Sequence, residues 1–147
     1  MTVEAVGSET KVIIFRLVNK EYAVPVQHVQ SIEKVMPVTR VPRVASHIKG
    51  VVNLRGVVTP IVDLRTRFSL EEGKYDEDTR IIIVTYENKE VGLIVDSAND
   101  VLDLPEGSIG PQPNVVGSVE ADFISGVAKL DRRLLILLHL NKVLENV

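Results

Sequence analysis

The chain has 147 residues and a formal net charge of −3, with 45% hydrophobic and 25% charged residues. That balance suits a compact globular unit burying roughly 70% of its unfolded surface, and it leaves no net positive field to attract nucleic acid. Aromatic residues are only 4% and cysteine is absent, which argues against base-stacking platforms, disulfide frameworks and thiolate sites.

Taken in chain order, residues 1–10 read as a flexible N-terminus; Met1 to Glu9 lack the basic and apolar regions of a signal peptide. Ile13, Phe15 and Leu17 alternate with less apolar neighbours, as do Tyr22, Val24 and Val26, so both stretches predict half-buried strands. A tight turn at Asn19-Lys20 would join them, Asn tolerating positive φ. Val26, Val29 and Gln30 predict a helical turn after Pro25. The run from Val51 to Val62 is broken by Gly56, which predicts a hairpin with Arg55 at its tip. Leu64 and Phe68 have the spacing of a single helical turn. Ser69 to Asp78 is acidic and contains Gly73, so a mobile linker is expected there. Ile81 to Val84, a turn at Asn88-Lys89, and Val91, Leu93 and Val95 then repeat the opening hairpin. Pro111 and Pro113 mark Pro105 to Val119 as a long loop. Leu140, Val143, Leu144 and Val147 predict a short C-terminal amphipathic helix. The longest apolar run, Leu134 to Leu138, is far short of the ~20 residues that span a bilayer, so a cytosolic chain with no membrane insertion is expected.

The sequence is written twice. Asn19-Lys20-Glu21 with Tyr22 to Val26 returns as Asn88-Lys89-Glu90 with Val91 to Val95, and Ile48-x-Gly50-Val51-x-x-Leu54 returns as Ile124-x-Gly126-Val127-x-x-Leu130. Two such copies are too few for a solenoid and predict two similar small β units packed together. The expected boundaries are 11–68 and 79–147, with 69–78 between them. Residues that one copy has and the other lacks are the candidates for a specific task. By that criterion Asn53-Leu54-Arg55-Gly56 stands out, since the second copy has Lys129-Leu130-Asp131-Arg132 in its place.

Catalytic or metal-binding patterns are not found. His28, His47 and His139 match no metal-ligand spacing, there is no nucleophile elbow or phosphate-cradling glycine loop, and no cofactor is implied. A two-fold carboxylate pair is also excluded, because the counterpart of Asp63 is His139 and that of Asp96 is Gln27. Asp63 and Asp96 read as turn or cap residues. The absence of such groups favours a protein that works by binding other proteins. Arg55 at a hairpin tip fits that reading, a planar guanidinium being suited to bidentate pairing and enriched at interface hot spots. By residue type alone, an internal ion pair of Arg55 with Asp63 is equally open.

With these residues in view, Phe15-x-Leu17, Glu21-Tyr22-Ala23, Val29-x-x-Ile32, the block Ile48-Lys49-Gly50-Val51-Val52-Asn53-Leu54-Arg55-Gly56, Pro60-Ile61-Val62-Asp63-Leu64-Arg65 and Val91-Gly92-Leu93-Ile94-Val95-Asp96 closely resemble the CheW family of chemotaxis coupling proteins. The resemblance covers residues 11–146. It implies an all-β fold of two packed five-stranded SH3-like barrels with short helices, one of them C-terminal. It also implies a non-enzymatic, cytoplasmic adaptor, monomeric in isolation. Such an adaptor joins a CheA-type histidine kinase to the cytoplasmic tips of chemoreceptors in membrane-associated arrays. A stand-alone regulatory module of a different kinase complex is the alternative. Carried over position by position, the partner-facing residues would be Val29, Gly50, Asn53 and Arg55, with Val101 on the second copy. Ser31 belongs to the same set and stands where many relatives carry Glu.

Overall fold

The computed structural model describes residues 10–71, 73–105, 107–110, 120–130, 132–145 and 147. Of the expected flexible N-terminus only Thr10 falls within this range, where it opens β1 (Thr10–Leu17). The antiparallel partner β2 (Lys20–Pro25) follows after a two-residue turn. That turn is Val18-Asn19, at φ 47° and 69°, one residue earlier than expected. Its mirror-image geometry matches the twist of the flanking strands, and Lys20 is already paired with Leu17 in the ladder. The second copy does the same with Glu87-Asn88 (φ 49° and 67°) between β6 (Arg80–Tyr86) and β7 (Lys89–Val95).

After a 3-10 turn at Val26–His28 come β3 (Val29–Lys34), β4 (Ile48–Leu54), β5 (Val57–Asp63) and the one-turn helix α1 (Leu64–Arg67). The second half supplies β8 (Ser97–Leu104), the two-residue β9 (Ile109–Gly110), a 3-10 turn at Glu120–Phe123, β10 (Ile124–Leu130), β11 (Arg133–Leu138) and α2 (Leu140–Val143). The predicted C-terminal helix is thus a single turn. Of the loop expected at Pro105 to Val119, residues 106 and 111–119 lie outside the described range, and Ile109–Gly110 form β9.

The fold is all-β, and the duplication governs its topology. One sheet has the order β8-β1-β2-β11-β10-β9 and the other β3-β6-β7-β5-β4. Setting aside the short β9, the two orders are identical once each strand is replaced by its repeat counterpart. Each sheet takes its leading hairpin from the opposite half of the chain, joined by a parallel pairing of β11 with β2 and of β5 with β7. The sheets therefore do not coincide with the sequential division at 11–68 and 79–147. The repeated Ile-x-Gly is a β-bulge in both copies, the ladder skipping a residue between Ile48 and Gly50 and between Ile124 and Gly126.

This exchange explains why β1 and β6 are apolar on both faces. Val12 and Ile14 join Ala23, Leu104, Ala128, Leu135 and Leu137 in a core within the first sheet. Ile81 and Ile83 join Val52, Ile61 and Ile94 in the equivalent core of the second. Their alternating neighbours Ile13, Phe15, Leu17, Ile82 and Val84 face a larger core shared between the sheets. Four of the six aromatic residues line up in and beside it: Phe15 against Tyr22 at 5.6 Å, Tyr22 against Phe68 at 5.8 Å, and Phe68 against Phe123 at 5.2 Å. Phe68 is the ring through which the first half touches the second, and its replacement by alanine should cost about 3–5 kcal/mol. The measurement is urea unfolding, with a lower midpoint and an unchanged slope expected.

Arg67 closes the same junction from outside. Its guanidinium lies 4.9 Å over the Phe123 ring and donates to the carbonyls of Val143 (3.2 Å), Lys142 (3.0 Å) and Glu145 (2.9 Å). These carbonyls cluster at the C-terminal end of α2, where the helix dipole makes a cation favourable. The ring nitrogens of His47, a residue 8% exposed, sit 3.3 and 3.5 Å from Arg67 Nη1. Burial and, secondarily, the Arg67 charge lower the His47 pKa below its ordinary 6.5. Below pH 6.5 the unfolded chain takes up that proton more readily than the native one. The contribution to stability is therefore present above pH 6.5 and lost as pH falls towards the native value. His47→Gln should flatten this part of a stability–pH curve, whereas Arg67→Lys should destabilise at every pH because an ammonium cannot reproduce the fork.

Candidate functional site

The β4–β5 hairpin is where the two copies differ most, and its local chemistry builds an exposed tip. Leu54 pairs with Val57, leaving Arg55 (φ 53°) and Gly56 (φ 84°) as a two-residue turn. Asn53 steadies it: its side-chain Oδ1 accepts a hydrogen bond of 2.9 Å from the Gly56 amide. Arg55 is exposed and makes no hydrogen bond or ion pair among the described residues. The internal partner considered for it, Asp63, is engaged elsewhere. Asp63 caps α1 by accepting from the Arg65 amide at 2.9 Å, and its second oxygen accepts from the Tyr75 hydroxyl at 2.7 Å. The guanidinium of Arg55 is thus presented to solvent on a rigid turn.

Apolar surface surrounds it. Val58, directly across the ladder from Asn53, is 65% exposed, and Val57 is 46% exposed. A cation beside exposed valines on a rigid turn is a composition that interface centres favour over general surface. Sequence reasoning missed these two valines, because the alternation that marks buried positions fails where the hairpin projects beyond the sheet. Val58 has an apolar repeat counterpart, Leu134, which is itself 45% exposed, whereas the counterpart of Val57 is Arg133.

Gly50, Asn53 and Arg55 share the β4–β5 hairpin, on one edge of their sheet. Val29 and Ser31, both half-buried, lie on β3 at the other end of the strand order, but the sheet curls back on itself: Thr39, beyond β3, bridges Val51 of β4 with two hydrogen bonds of 2.9 Å. Ser31 Oγ is buried without a hydrogen-bond partner. Val101, 52% exposed, sits on β8 at an edge of the other sheet, opposite Ile13. Ile32, 40% exposed and opposite Ile82, holds the equivalent place on β3 and was also missed. Gly50 carries a structural duty of its own. At φ 146° it passes so close to the Thr39 backbone that a Cβ would stand 2.1 Å from the Thr39 carbonyl oxygen.

Behind the hairpin, Arg65 anchors the segment that joins the copies. It forms a bidentate pair with Asp96, Nε to Oδ1 at 2.8 Å and Nη2 to Oδ2 at 2.6 Å, and donates to the Glu71 carbonyl at 3.0 Å. The Asp96 hydrogen bonds hold the guanidinium more firmly protonated than usual. Asp96 also accepts from the Val18 amide at 2.9 Å, so both aspartates are cap and turn residues. Within the acidic stretch, the Leu70 amide donates to the Arg65 carbonyl at 2.7 Å and the Tyr75 hydroxyl to Asp63. Among the described residues, no group of three or more His, Cys, Asp or Glu could hold a metal, and no helix is long and apolar enough to cross a membrane.

The CheW-like domain family matches residues 11–147. The chemotaxis protein CheW of Bacillus subtilis is 46% identical over 145 residues, covering 99% of this chain and 92% of that protein. Its counterpart in Klebsiella aerogenes is 38% identical, covering 97% and 85% respectively. Among solved structures, the scaffolding protein TtCheW of Thermoanaerobacter tengcongensis superimposes with a TM-score of 0.86 at 33% identity, covering 93% of each chain.

The geometry separates two kinds of substitution. Arg55→Glu touches no internal partner and should leave stability within about 0.5 kcal/mol, whereas Gly50→Ala should lower it markedly through the clash with Thr39. Thermal unfolding of both variants checks this, and a destabilised Arg55→Glu would mean that the side chain has an internal role.

Proposed function

The chain belongs to the CheW family of chemotaxis scaffolds, and from that premise we propose that it is a non-enzymatic adaptor coupling the cytoplasmic tips of chemoreceptors to a CheA-type histidine kinase. The observation that carries the reading is the exposed guanidinium of Arg55, unpartnered among the described residues, held on a tight turn and flanked by Val57 and Val58. A receptor tip is a helical hairpin. Its apolar stripe would lie on the valines while Arg55 fixes orientation through a carboxylate or helix-end carbonyls. Val29, Ser31 and Val101, on separate edges, fit a protein gripped by more than one partner at once, as a scaffold must be. Several individually weak contacts then gain from effective concentration. Receptor states that bind the adaptor unequally would bias the attached kinase by linkage. In this reading the protein is a cytoplasmic monomer recruited to receptor arrays, and 11–147 acts as one unit.

Reconstitution with a CheA-type kinase and a receptor cytoplasmic fragment is the direct test. Adding the chain should raise receptor-dependent kinase phosphorylation. Arg55→Glu should weaken receptor capture by roughly thirtyfold, the scale of a 2 kcal/mol hot spot. Full capture by a folded Arg55→Glu protein would remove Arg55 from the interface, and an unresponsive kinase would remove the coupling role.

A further inference from the structure

The segment between β3 and β4 builds a second surface, distinct from the Arg55 hairpin. It walls a cleft of about 620 Å³ rimmed by Arg40, Arg43 and Lys49, with Val41 and Val44 beside them and Thr66 at its margin. No Asp or Glu is among the described residues that line it. Arg40 and Arg43 are exposed and form no hydrogen bond or ion pair among the described residues. Val41 and Val44 are 39% and 41% exposed, so apolar and cationic surface alternate along the rim. Arg43 adopts φ 64°, an uncommon conformation for a residue with a side chain. The Thr66 hydroxyl is buried without a partner.

We infer that this cleft is a docking site for an extended acidic segment of a partner protein, its carboxylates paired with Arg40 and Arg43 and its apolar residues laid on Val41 and Val44. Charge complementarity selects that occupant. Two guanidinium groups without counter-charges among the described residues, in a cleft whose described lining holds no carboxylate, favour a multiply anionic ligand, and the neighbouring valines favour one that also carries apolar side chains. In Arg40-Val41-Pro42-Arg43-Val44 each arginine is followed by a valine, so the rim offers cationic and apolar surface to a segment that carries both acidic and apolar residues. The site belongs to the first copy alone: the repeat counterparts of Lys49 and Thr66 are Ser125 and Lys142.

Fluorescence anisotropy with a labelled eight-residue peptide alternating Glu and Leu tests the inference on the full chain. Saturable binding is expected, weakened at least about tenfold by the double variant Arg40→Glu/Arg43→Glu and strongly reduced by added salt, as charge pairing at an exposed rim requires. A second variant, Arg40→Gln/Arg43→Gln, should show an intermediate loss, and circular dichroism confirms that both remain folded. Arg55→Glu should bind the peptide as the parent does, which keeps this result separate from receptor capture. Absence of binding, equal binding by the charge-reversed protein, or equal binding of a peptide with Lys in place of Glu would overturn the inference. Inorganic phosphate binding as tightly as the peptide would also overturn it, marking a small-anion site instead.

Discussion

The structure depends on one apolar interface, the core shared by the two sheets. Neither sheet could form it alone, because each borrows its first hairpin from the other half of the chain. A strand that is central in its own sheet and faces a second sheet must be apolar on both sides, and β1 and β6 are. Burying a branched aliphatic side chain stabilises by about 1.5–3 kcal/mol, and the shared core gathers such residues from seven strands and both helices. The exchanged hairpins also couple the halves topologically: β1 and β2 cannot leave the first sheet without unpairing β11, nor β6 and β7 the second without unpairing β5.

Polar groups at the seams finish what apolar burial begins. Arg67 covers the end of α2, Arg65 binds Asp96 at the foot of the opposite hairpin turn, and Arg133 holds Glu21 with a second bidentate pair at 3.1 and 2.9 Å. Each of these three arginines joins residues from the two halves of the sequence. Arg55, Arg40 and Arg43 make no such bonds among the described residues. The guanidinium groups thus divide into those that hold the fold together and those that it presents outward. For a protein whose family acts by scaffolding, the second group is where recognition is expected.

Both copies share the bulge, the hairpin turns and the helical turn after the last strand, all of which the fold itself needs. They differ at the projecting hairpins: Arg55 and Gly56 form the tip between Leu54 and Val57, whereas exposed Arg132 precedes Arg133 at the tip of the second. Duplication gave a stable frame, on which the two copies present different side chains.

The sequence alone determined the β class, the duplication, the hairpins and the exposed turn at Arg55, because each rests on short-range rules: period-two alternation, positive-φ turn residues and self-similarity. Its family resemblance was legible from contiguous motifs for the same reason. The exchange of hairpins was not legible, since identical alternation is satisfied whether β1 packs with its own half or the other. Nor were the roles of Arg65 and Arg67, whose partners Asp96 and Val143 lie far along the chain. The closure of the first sheet through Thr39 and Val51, and the exposure of Val57, Val58 and Ile32, were likewise decided by tertiary packing. Burial is a property of neighbours brought together across the chain, and only tertiary packing chooses them.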